Sequence, residues 1–275
     1  MSQNVIKEII RDSKAEIKNI KKNAKAEIKA VKRRTLETLA SKETAYAKKL
    51  EIQKRREEEA LIPKRYTIGE EIFNSVSHGI GAGLSIAAIV LLIVRAAVYA
   101  PQAERAFYIT GFALFGSMLI VLYLMSTLYH ALTPYHVKKI FGVFDHSSIY
   151  LLISGTYTPF CLGVLREQGG WLLFGIIWGL TVAGIASYAI FGSKMRLFSA
   201  ISYVIMGWLI CFYWKPLKAG VPPATISFLL AGGIAYTVGV IFYALKKIKW
   251  THCVWHLFVV AGSILHFFSV FYSLK

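Results

Sequence analysis

Seven long apolar runs constrain this chain more than any other feature. They fall at residues 72–94, 107–131, 143–165, 170–191, 197–214, 224–245 and 252–272. Each run is close to the roughly 20 residues that a helix needs to cross the hydrocarbon core of a bilayer. Glycines inside the runs would break helices in water, whereas in a bilayer they permit close helix packing. We therefore expect an all-α protein, a bundle of seven transmembrane helices.

The composition separates two regions. Hydrophobic residues make up 56% of the 275 residues, whereas about 45–50% is usual for a soluble domain. Charged residues concentrate in residues 1–65, and the rest of the chain contains few acids. These are Glu70, Glu71, Glu104, Asp145 and Glu167. The chain is therefore expected to have a charged tail, residues 1–65, and a membrane domain, residues 66–275.

The tail is rich in Lys, Glu, Ala and Ile, lacks Gly and has Pro63 as its only proline. This composition predicts a charged helix over much of its length, ended by Pro63. Apolar residues recur at sevens at Ile10, Ile17, Ala24 and Val31. The companion positions of that heptad, three residues further on, are occupied by residues such as Ser13, Glu27 and Arg34, and Ile6, Ile20 and Ile28 lie nearby. The pattern allows either a solvated helix or a coiled coil that makes the protein a homo-oligomer.

The net charge of +17 raises the question of a nucleic-acid partner. We expect none, because the basic residues of the membrane domain lie in short loops and those of the tail alternate with Glu. Membrane lipids with anionic headgroups are the expected partner. Cys161, Cys211 and Cys253 all fall in apolar runs, so no disulfide framework is expected. The N-terminus is polar and charged, so no cleavable signal is predicted.

Lys and Arg in short loops predict the orientation, because cytoplasmic loops carry the excess of these residues. The loops alone are nearly balanced between the two sides. The side that carries the tail gains further basic residues just before the first run: Lys54, Arg55, Arg56, Lys64 and Arg65. This places the N-terminus in the cytoplasm and, with seven spans, the C-terminus outside. The expected location is the cell membrane.

Polar residues of four runs converge on one leaflet in this topology. They are Glu71, Asn74, His78, Ser126, His130, Asp145, His252 and His256. His252 and His256 share a helix face because they are four residues apart, as do Ser126 and His130. Ionisable residues inside a membrane are expensive, and they mark functional sites by default.

Asp145 is the only acidic residue well inside a predicted span, and an unpaired carboxylate there needs a metal, a histidine or water. Several imidazoles with an exchangeable water and a nearby carboxylate fit a catalytic Zn²⁺ site. The alternative is a polar cluster that only ties the helices together. Both remain open on the residues alone.

Four motifs carry a resemblance to a known family. The first two are Glu71-x-x-Asn74-x-x-x-His78 and Ser126-Thr127-Leu128-Tyr129-His130. The others are Phe144-Asp145-His146-Ser147-Ser148-Ile149-Tyr150, continuing to Gly155-Thr156-Tyr157-Thr158-Pro159, and His252-x-x-x-His256-x9-His266-Phe267. Over roughly residues 64–273 the chain resembles the hemolysin III family, the bacterial branch of the progestin and adiponectin receptor superfamily.

The resemblance implies a seven-helix membrane protein with a zinc ion near the cytoplasmic face. Carried over position by position, it implies His130, His252 and His256 as the zinc ligands. It implies that Asp145 holds the zinc-bound water and that Ser126 stands just behind the ligands. Asn74 and His78 match the first motif, without an assigned chemical role.

Three functions from different classes fit these expectations. The first is an intramembrane zinc hydrolase of lipid amides or esters, with Asp145 accepting a proton and Ser126 contacting the oxyanion. The second is a cytolytic or pore-forming protein, which the family's name suggests. The third is a lipid-sensing receptor or membrane-homeostasis protein in which zinc is structural.

Overall fold

The computed structural model of the chain describes residues 3–60, 66–245 and 248–274, and the secondary structure in these ranges is helical. The chain divides into two compact units, Met1–Lys64 and Arg65–Lys275. The described residues do not include Pro63, Lys64 and Arg65. The sequence assigned the end of the tail helix to Pro63 and part of the orientation signal to Lys64 and Arg65. The loop residues Lys246 and Lys247 also lie outside the described residues.

The first unit is one long helix, α1, Gln3–Ala60. At 1.5 Å per residue its length is about 87 Å. The side chains described between residues 9 and 54 are exposed, so no apolar face of α1 is buried within its own unit. The helix predicted for the tail is confirmed.

The second unit contains the seven helical segments expected from the apolar runs. Among the described residues these segments comprise eight α-helices, of which α6 and α7 belong to one segment. In chain order the helices are α2 (Ile68–Tyr99), α3 (Arg105–Ala131), α4 (Tyr135–Leu162), α5 (Gly170–Phe191), α6 (Arg196–Trp208), α7 (Trp214–Gly220), α8 (Pro223–Ala244) and α9 (Thr251–Phe271). A 3₁₀ segment, Leu209–Tyr213, joins α6 to α7, so these two helices form the fifth segment together. The seven-helix bundle is confirmed.

Six helical segments of the described chain are long and apolar enough to cross a membrane. The exception among the seven is α4, whose residues Asp145, Ser147 and Ser148 lower its hydropathy. This helix packs against α3 and α5 and also contacts α6 and α9. A helix that is surrounded by other helices needs no apolar face toward lipid, so α4 tolerates these residues.

Two glycines of α3 permit close approach to its neighbouring helices. A Cβ atom at Gly116 of α3 would lie 2.9 Å from the Cα atom of Ile89 in α2. A Cβ atom at Gly111 would lie 2.9 Å from the Cα atom of Pro159 in α4. The absence of a side chain at these two positions lets α3 approach both neighbours backbone to backbone.

The fifth segment departs from α-helical geometry beside a buried tyrosine. The Tyr157 hydroxyl donates to the carbonyls of Met206 and Gly207 at 2.7 and 2.9 Å, and it accepts the N–H of Ile210 at 2.9 Å. One side chain from α4 therefore satisfies backbone groups that the change from α6 to the 3₁₀ segment leaves without α-helical partners.

Candidate metal centre

Three histidines from two helices come together near one end of the bundle. His130 lies in the last turn of α3, and His252 and His256 lie in the first two turns of α9. A nitrogen of each ring lies within 4.8 Å of a nitrogen of the other two, the one such group among the described residues. His130 and His256 are buried, and His252 is partly buried. The cluster could therefore bind a metal ion.

The facing nitrogens suit a metal. The Nε2 atoms of His252 and His256 lie 3.2 Å apart. The ring centroid of His130 lies 5.4 Å from that of His252 and 4.9 Å from that of His256. The Nε2 atom of His130 is buried and has no hydrogen-bond partner among the residues that the structure describes. Neutral imidazole offers one lone pair for a metal, and three protein ligands with an open fourth position are typical of catalytic zinc. The donor set fits zinc on these grounds.

Glu71 orients His130. Its Oε2 atom lies 2.6 Å from Nδ1 of His130, and its Oε1 atom accepts a hydrogen bond from Nζ of Lys138 at 2.7 Å. A hydrogen bond from Nδ1–H to the carboxylate leaves the Nε2 lone pair directed toward His252 and His256. Ligand histidines in proteins are commonly held this way, with the far nitrogen bonded to a carboxylate.

The neighbouring residue, Glu70, fixes the start of α9. It forms a capping box with Thr67 at the start of α2, and its Oε1 atom also accepts the backbone N–H of Trp250 at 2.7 Å. Trp250 precedes α9 with a φ of 67°, a conformation that L residues seldom adopt. The contact between Glu70 and Trp250 therefore anchors α9 two residues before His252.

Aromatic rings enclose the histidine cluster. His78 of α2 stacks on His256 with ring centroids 3.7 Å apart, and Tyr123 packs edge-on against His78 at 5.0 Å. On the other side Tyr66 stacks on His252 at 4.7 Å. These contacts restrict the rotation of both α9 histidines.

Two further predicted site residues are buried beside the cluster. Asn74 lies on the same face of α2 as Glu71 and His78, because spacings of three and four residues share a helix face. Ser126 lies one turn before His130 on α3. Neither the amide group of Asn74 nor the hydroxyl of Ser126 has a hydrogen-bond partner among the described residues.

Asp145 is not part of the metal cluster found among the described residues. It is partly buried on α4, and its Oδ2 atom lies 3.6 Å from Nδ1 of His146. His146 in turn contacts the carbonyl of Gly142 through the same nitrogen at 2.8 Å. The proton-accepting role predicted for Asp145 stays a prediction.

Sequence reasoning missed three residues that support the cluster: Glu70, Lys138 and Tyr66. Thr67 followed three residues later by Glu70 is a capping-box signature, which could have directed attention to Glu70. Lys138 lies before the third apolar run, and Tyr66 precedes the first. Lys138 reaches Glu71, Tyr66 reaches His252 and Glu70 reaches Trp250. Each contact joins residues distant in sequence, so no local pattern indicates it.

Comparison with known proteins gives one family. The family model described as "Haemolysin-III related" matches residues 66–267. The protein named "Hemolysin-3 homolog" from Bacillus subtilis (strain 168) is 46% identical over 211 residues, which are 76% of this chain and 97% of that protein. "Hemolysin-3" from Bacillus cereus is 44% identical over 205 residues, 74% of this chain and 92% of that protein.

A more distant relative is human "Monocyte to macrophage differentiation factor". It is 24% identical over 167 residues, which are 57% of this chain and 67% of that protein. No solved structure matches the chain significantly. The family match begins at residue 66, so α1 lies outside it.

Proposed function

This chain belongs to the hemolysin III family, and from that premise we propose that it is a membrane protein that holds zinc between His130, His252 and His256. The carboxylate contact of Glu71 with His130 carries the proposal, because it turns the free lone pair of that ring toward the other two histidines. Three imidazoles also suit copper, iron and nickel, and zinc is favoured by the three-ligand pattern with an open position.

The proposed orientation follows from charge. The basic residues at the end of the tail and in the loops on the same side place the N-terminus in the cytoplasm and the C-terminus outside. In that orientation His130, at the end of α3, and His252, at the start of α9, lie near the cytoplasmic face. Membrane lipids are the proposed partners of the bundle, and nucleic acid is not.

The proposed activity is hydrolysis of a lipid amide or ester that enters from the bilayer. Zinc held by the three histidines would act as a Lewis acid on the substrate's carbonyl and would lower the pKa of water. Asp145 takes a proton from the water that attacks the carbonyl carbon, and this proton leaves with the released amine or alcohol. The Ser126 hydroxyl donates a hydrogen bond to the substrate's carbonyl oxygen. Glu71 keeps His130 in one tautomer, and His78 holds the ring of His256 in place by stacking.

The first experiment measures bound metal by mass spectrometry in detergent-purified protein, beside the variants His256→Ala and His266→Ala. His266 is a matched control because it is also buried on α9 and lies ten residues beyond His256. Near-stoichiometric zinc in the wild type and in His266→Ala, with a sharp loss in His256→Ala, is expected. A wild type that takes up no zinc when zinc is supplied contradicts the proposal.

The second experiment tests hydrolysis with a long-chain N-acyl amide and a long-chain ester, and released fatty acid is measured. Asp145→Asn is expected to keep zinc and lose turnover. If turnover is undiminished, Asp145 does not accept the proton. If zinc-loaded wild type releases no fatty acid from either substrate, the metal is structural and the lipid-receptor function moves ahead.

The names of the two Bacillus relatives, "Hemolysin-3 homolog" and "Hemolysin-3", favour a second candidate function, lysis of cells. A pore formed by this protein would release dye from liposomes that contain the purified wild type. Leakage that persists in His256→Ala would assign lysis to the bundle and not to the metal cluster. Intact liposomes would argue against direct lysis.

A further inference from the structure

An 11-residue repeat runs through α1. Five consecutive units read NVIKEIIRDSK, AEIKNIKKNAK, AEIKAVKRRTL, ETLASKETAYA and KKLEIQKRREE, and they begin at residues 4, 15, 26, 37 and 48. The third position of each unit is Ile or Leu: Ile6, Ile17, Ile28, Leu39 and Leu50. The sixth position is Ile9, Ile20 and Val31 in the first three units, and the tenth is Ser13, Ala24, Thr35 and Tyr46 in the first four.

This period describes the tail better than a heptad does. The heptad that starts at Ile10 meets Glu27 and Arg34 at its companion positions, whereas the 11-residue period keeps an aliphatic residue at the same place in all five units. Eleven residues make three turns at about 3.67 residues per turn, close to the natural helix. A seam with this period winds slightly to the right, so two helices that bury it form a right-handed supercoil.

The repeated positions form a narrow seam, and those whose side chains the structure describes are exposed. At about 98° per residue, the third, sixth and tenth positions fall within about 65° of the helix circumference. Ile17, Ile28 and Val31 are 52%, 59% and 62% exposed in the isolated helix. A helix that lies on a membrane or a globular core needs an apolar face wider than about 100°, whereas a narrow seam is typical of coiled coils. The seam therefore favours another helix as its cover.

Charges beside the seam point to an identical helix in parallel. One flank carries Glu16 and Glu27, the second residues of their units, and the opposite flank carries Lys14 and Lys25, the eleventh. In a parallel pair with twofold symmetry, each flank of one helix faces the opposite flank of the other, so Glu lies across from Lys. In an antiparallel pair, flanks of the same charge would face each other, and the two helices would repel.

We propose that α1 pairs with α1 of a second copy of this chain as a parallel, right-handed coiled coil. The seam is strongest from Ile6 to Val31, where the third and sixth positions are both aliphatic in three successive units. The membrane domain that the family match covers would thus be held as a homo-oligomer by a segment outside that match. The proposal does not depend on metal binding or hydrolysis.

Site-specific disulfide formation in the full-length protein tests the pairing. A Cys211→Ser background removes the one native cysteine that is exposed. Ile28→Cys is expected to cross-link two chains rapidly under mild oxidation, because a parallel pair places identical seam residues together. Ala30→Cys, on the opposite face of the same unit, is the matched control and is expected to cross-link at least ten-fold more slowly. Equal rates at the two positions overturn the proposal.

The mass of the protein in detergent gives an independent readout. Light scattering of the wild type is expected to give at least twice the mass of one chain, after subtraction of bound detergent. The double variant Ile17→Asp, Ile28→Asp is expected to become monomeric, whereas Asn19→Asp, Ala30→Asp, with the same charge on the opposite face, stays assembled. A monomeric wild type, or assembly that survives the seam variant, contradicts the proposal.

Reversing the flanking charges tests the parallel alignment. Glu16→Lys, Glu27→Lys is expected to weaken assembly, because Lys then faces Lys. Adding Lys14→Glu, Lys25→Glu restores opposite charges across the seam and is expected to restore the mass. If the variant with all four substitutions assembles as weakly as the variant with two, the parallel pairing is wrong.

Discussion

The backbone N–H of Trp250 donates to Oε1 of Glu70 at 2.7 Å, across 180 residues of sequence. The next residue of α2, Glu71, contacts His130 at 2.6 Å. Two adjacent carboxylates in the first turn of α2 thus reach the two helices that carry the histidine cluster. One carboxylate sets where α9 begins, and the other sets how the His130 ring is turned.

Removal of the Glu70 carboxylate should loosen the start of α9. In Glu70→Ala the N–H of Trp250 loses its acceptor and α2 loses its capping box, at a combined cost of about 1–3 kcal/mol. Amide hydrogen exchange at residues 250–254 is expected to be faster in Glu70→Ala than in the wild type. Glu104→Ala, which removes an ion pair with Arg166, is the control and should leave exchange at these residues unchanged. Unchanged exchange in Glu70→Ala would disprove the anchor.

Removal of the Glu71 charge should weaken metal binding without unfolding the bundle. Outer carboxylates of this kind typically contribute about 10–100-fold to metal affinity, so Glu71→Gln is expected to raise the zinc dissociation constant by about that factor. Competition with a fluorescent chelator measures the constant. Glu167→Gln, at an exposed site, serves as the control. An unchanged constant in Glu71→Gln would show that His130 needs no carboxylate.

Chelation should destabilise the protein only where the cluster can bind zinc. A ligand that binds only the native state stabilises it by an amount that grows with the logarithm of the free ligand concentration divided by the dissociation constant, and it thereby raises the melting temperature. A chelator is therefore expected to lower the melting temperature of the wild type and of Asp145→Asn, and to leave that of His256→Ala unchanged. Differential scanning fluorimetry in detergent measures this. If the chelator lowers the melting temperature of Asp145→Asn much less than that of the wild type, Asp145 belongs among the metal ligands.

The close crossing of α2 and α3 should not tolerate a methyl group. Gly116→Ala places a Cβ atom against the backbone of Ile89, and overpacking of this kind costs about 1–3 kcal/mol. A lower melting temperature is expected for this variant. Gly175→Ala is the matched control, because nothing lies within 4 Å of its Cβ position. Equal melting temperatures for the two variants would show that the helices separate freely.

Loss of the Tyr157 hydroxyl should destabilise the 3₁₀ segment. Tyr157→Phe leaves the N–H of Ile210 buried without its acceptor, at a cost of about 1–3 kcal/mol. Tyr213→Phe removes a hydroxyl whose bond to Gly169 lies at the surface, and it should cost less. Thermal unfolding measures both variants. A Tyr157→Phe protein as stable as the wild type would mean that another group caps this segment.

Hydropathy predicted the seven segments because burial in a bilayer is a property of each segment's own composition. It was less informative about where α4 begins. The apolar run starts at residue 143 and the helix at Tyr135, because the first turns of α4 are polar and carry Lys138. Apolar content also could not show that α4 packs among other helices, since that depends on which neighbours surround it.

The spacing of the histidines and the predicted topology indicated that His78, His130, His252 and His256 lie in one leaflet. The family resemblance narrowed the expected ligands to His130, His252 and His256, which the structure brings together. Side-chain contacts across helices needed coordinates. The approach of Glu70 to Trp250, of Glu71 to His130 and of Tyr66 to His252 depends on helix rotations of a few tens of degrees, which one sequence does not encode locally.

The sequence by itself determined that the chain is a charged helix followed by seven apolar helices, and which histidines share a depth. Periodicity and hydropathy suffice for this because each concerns neighbours along the chain. Only the tertiary structure decided which carboxylates orient the cluster and that Asp145 lies outside the three-histidine group found among the described residues. These outcomes depend on the packing of helices distant in sequence, where a small rotation changes which side chains come into contact.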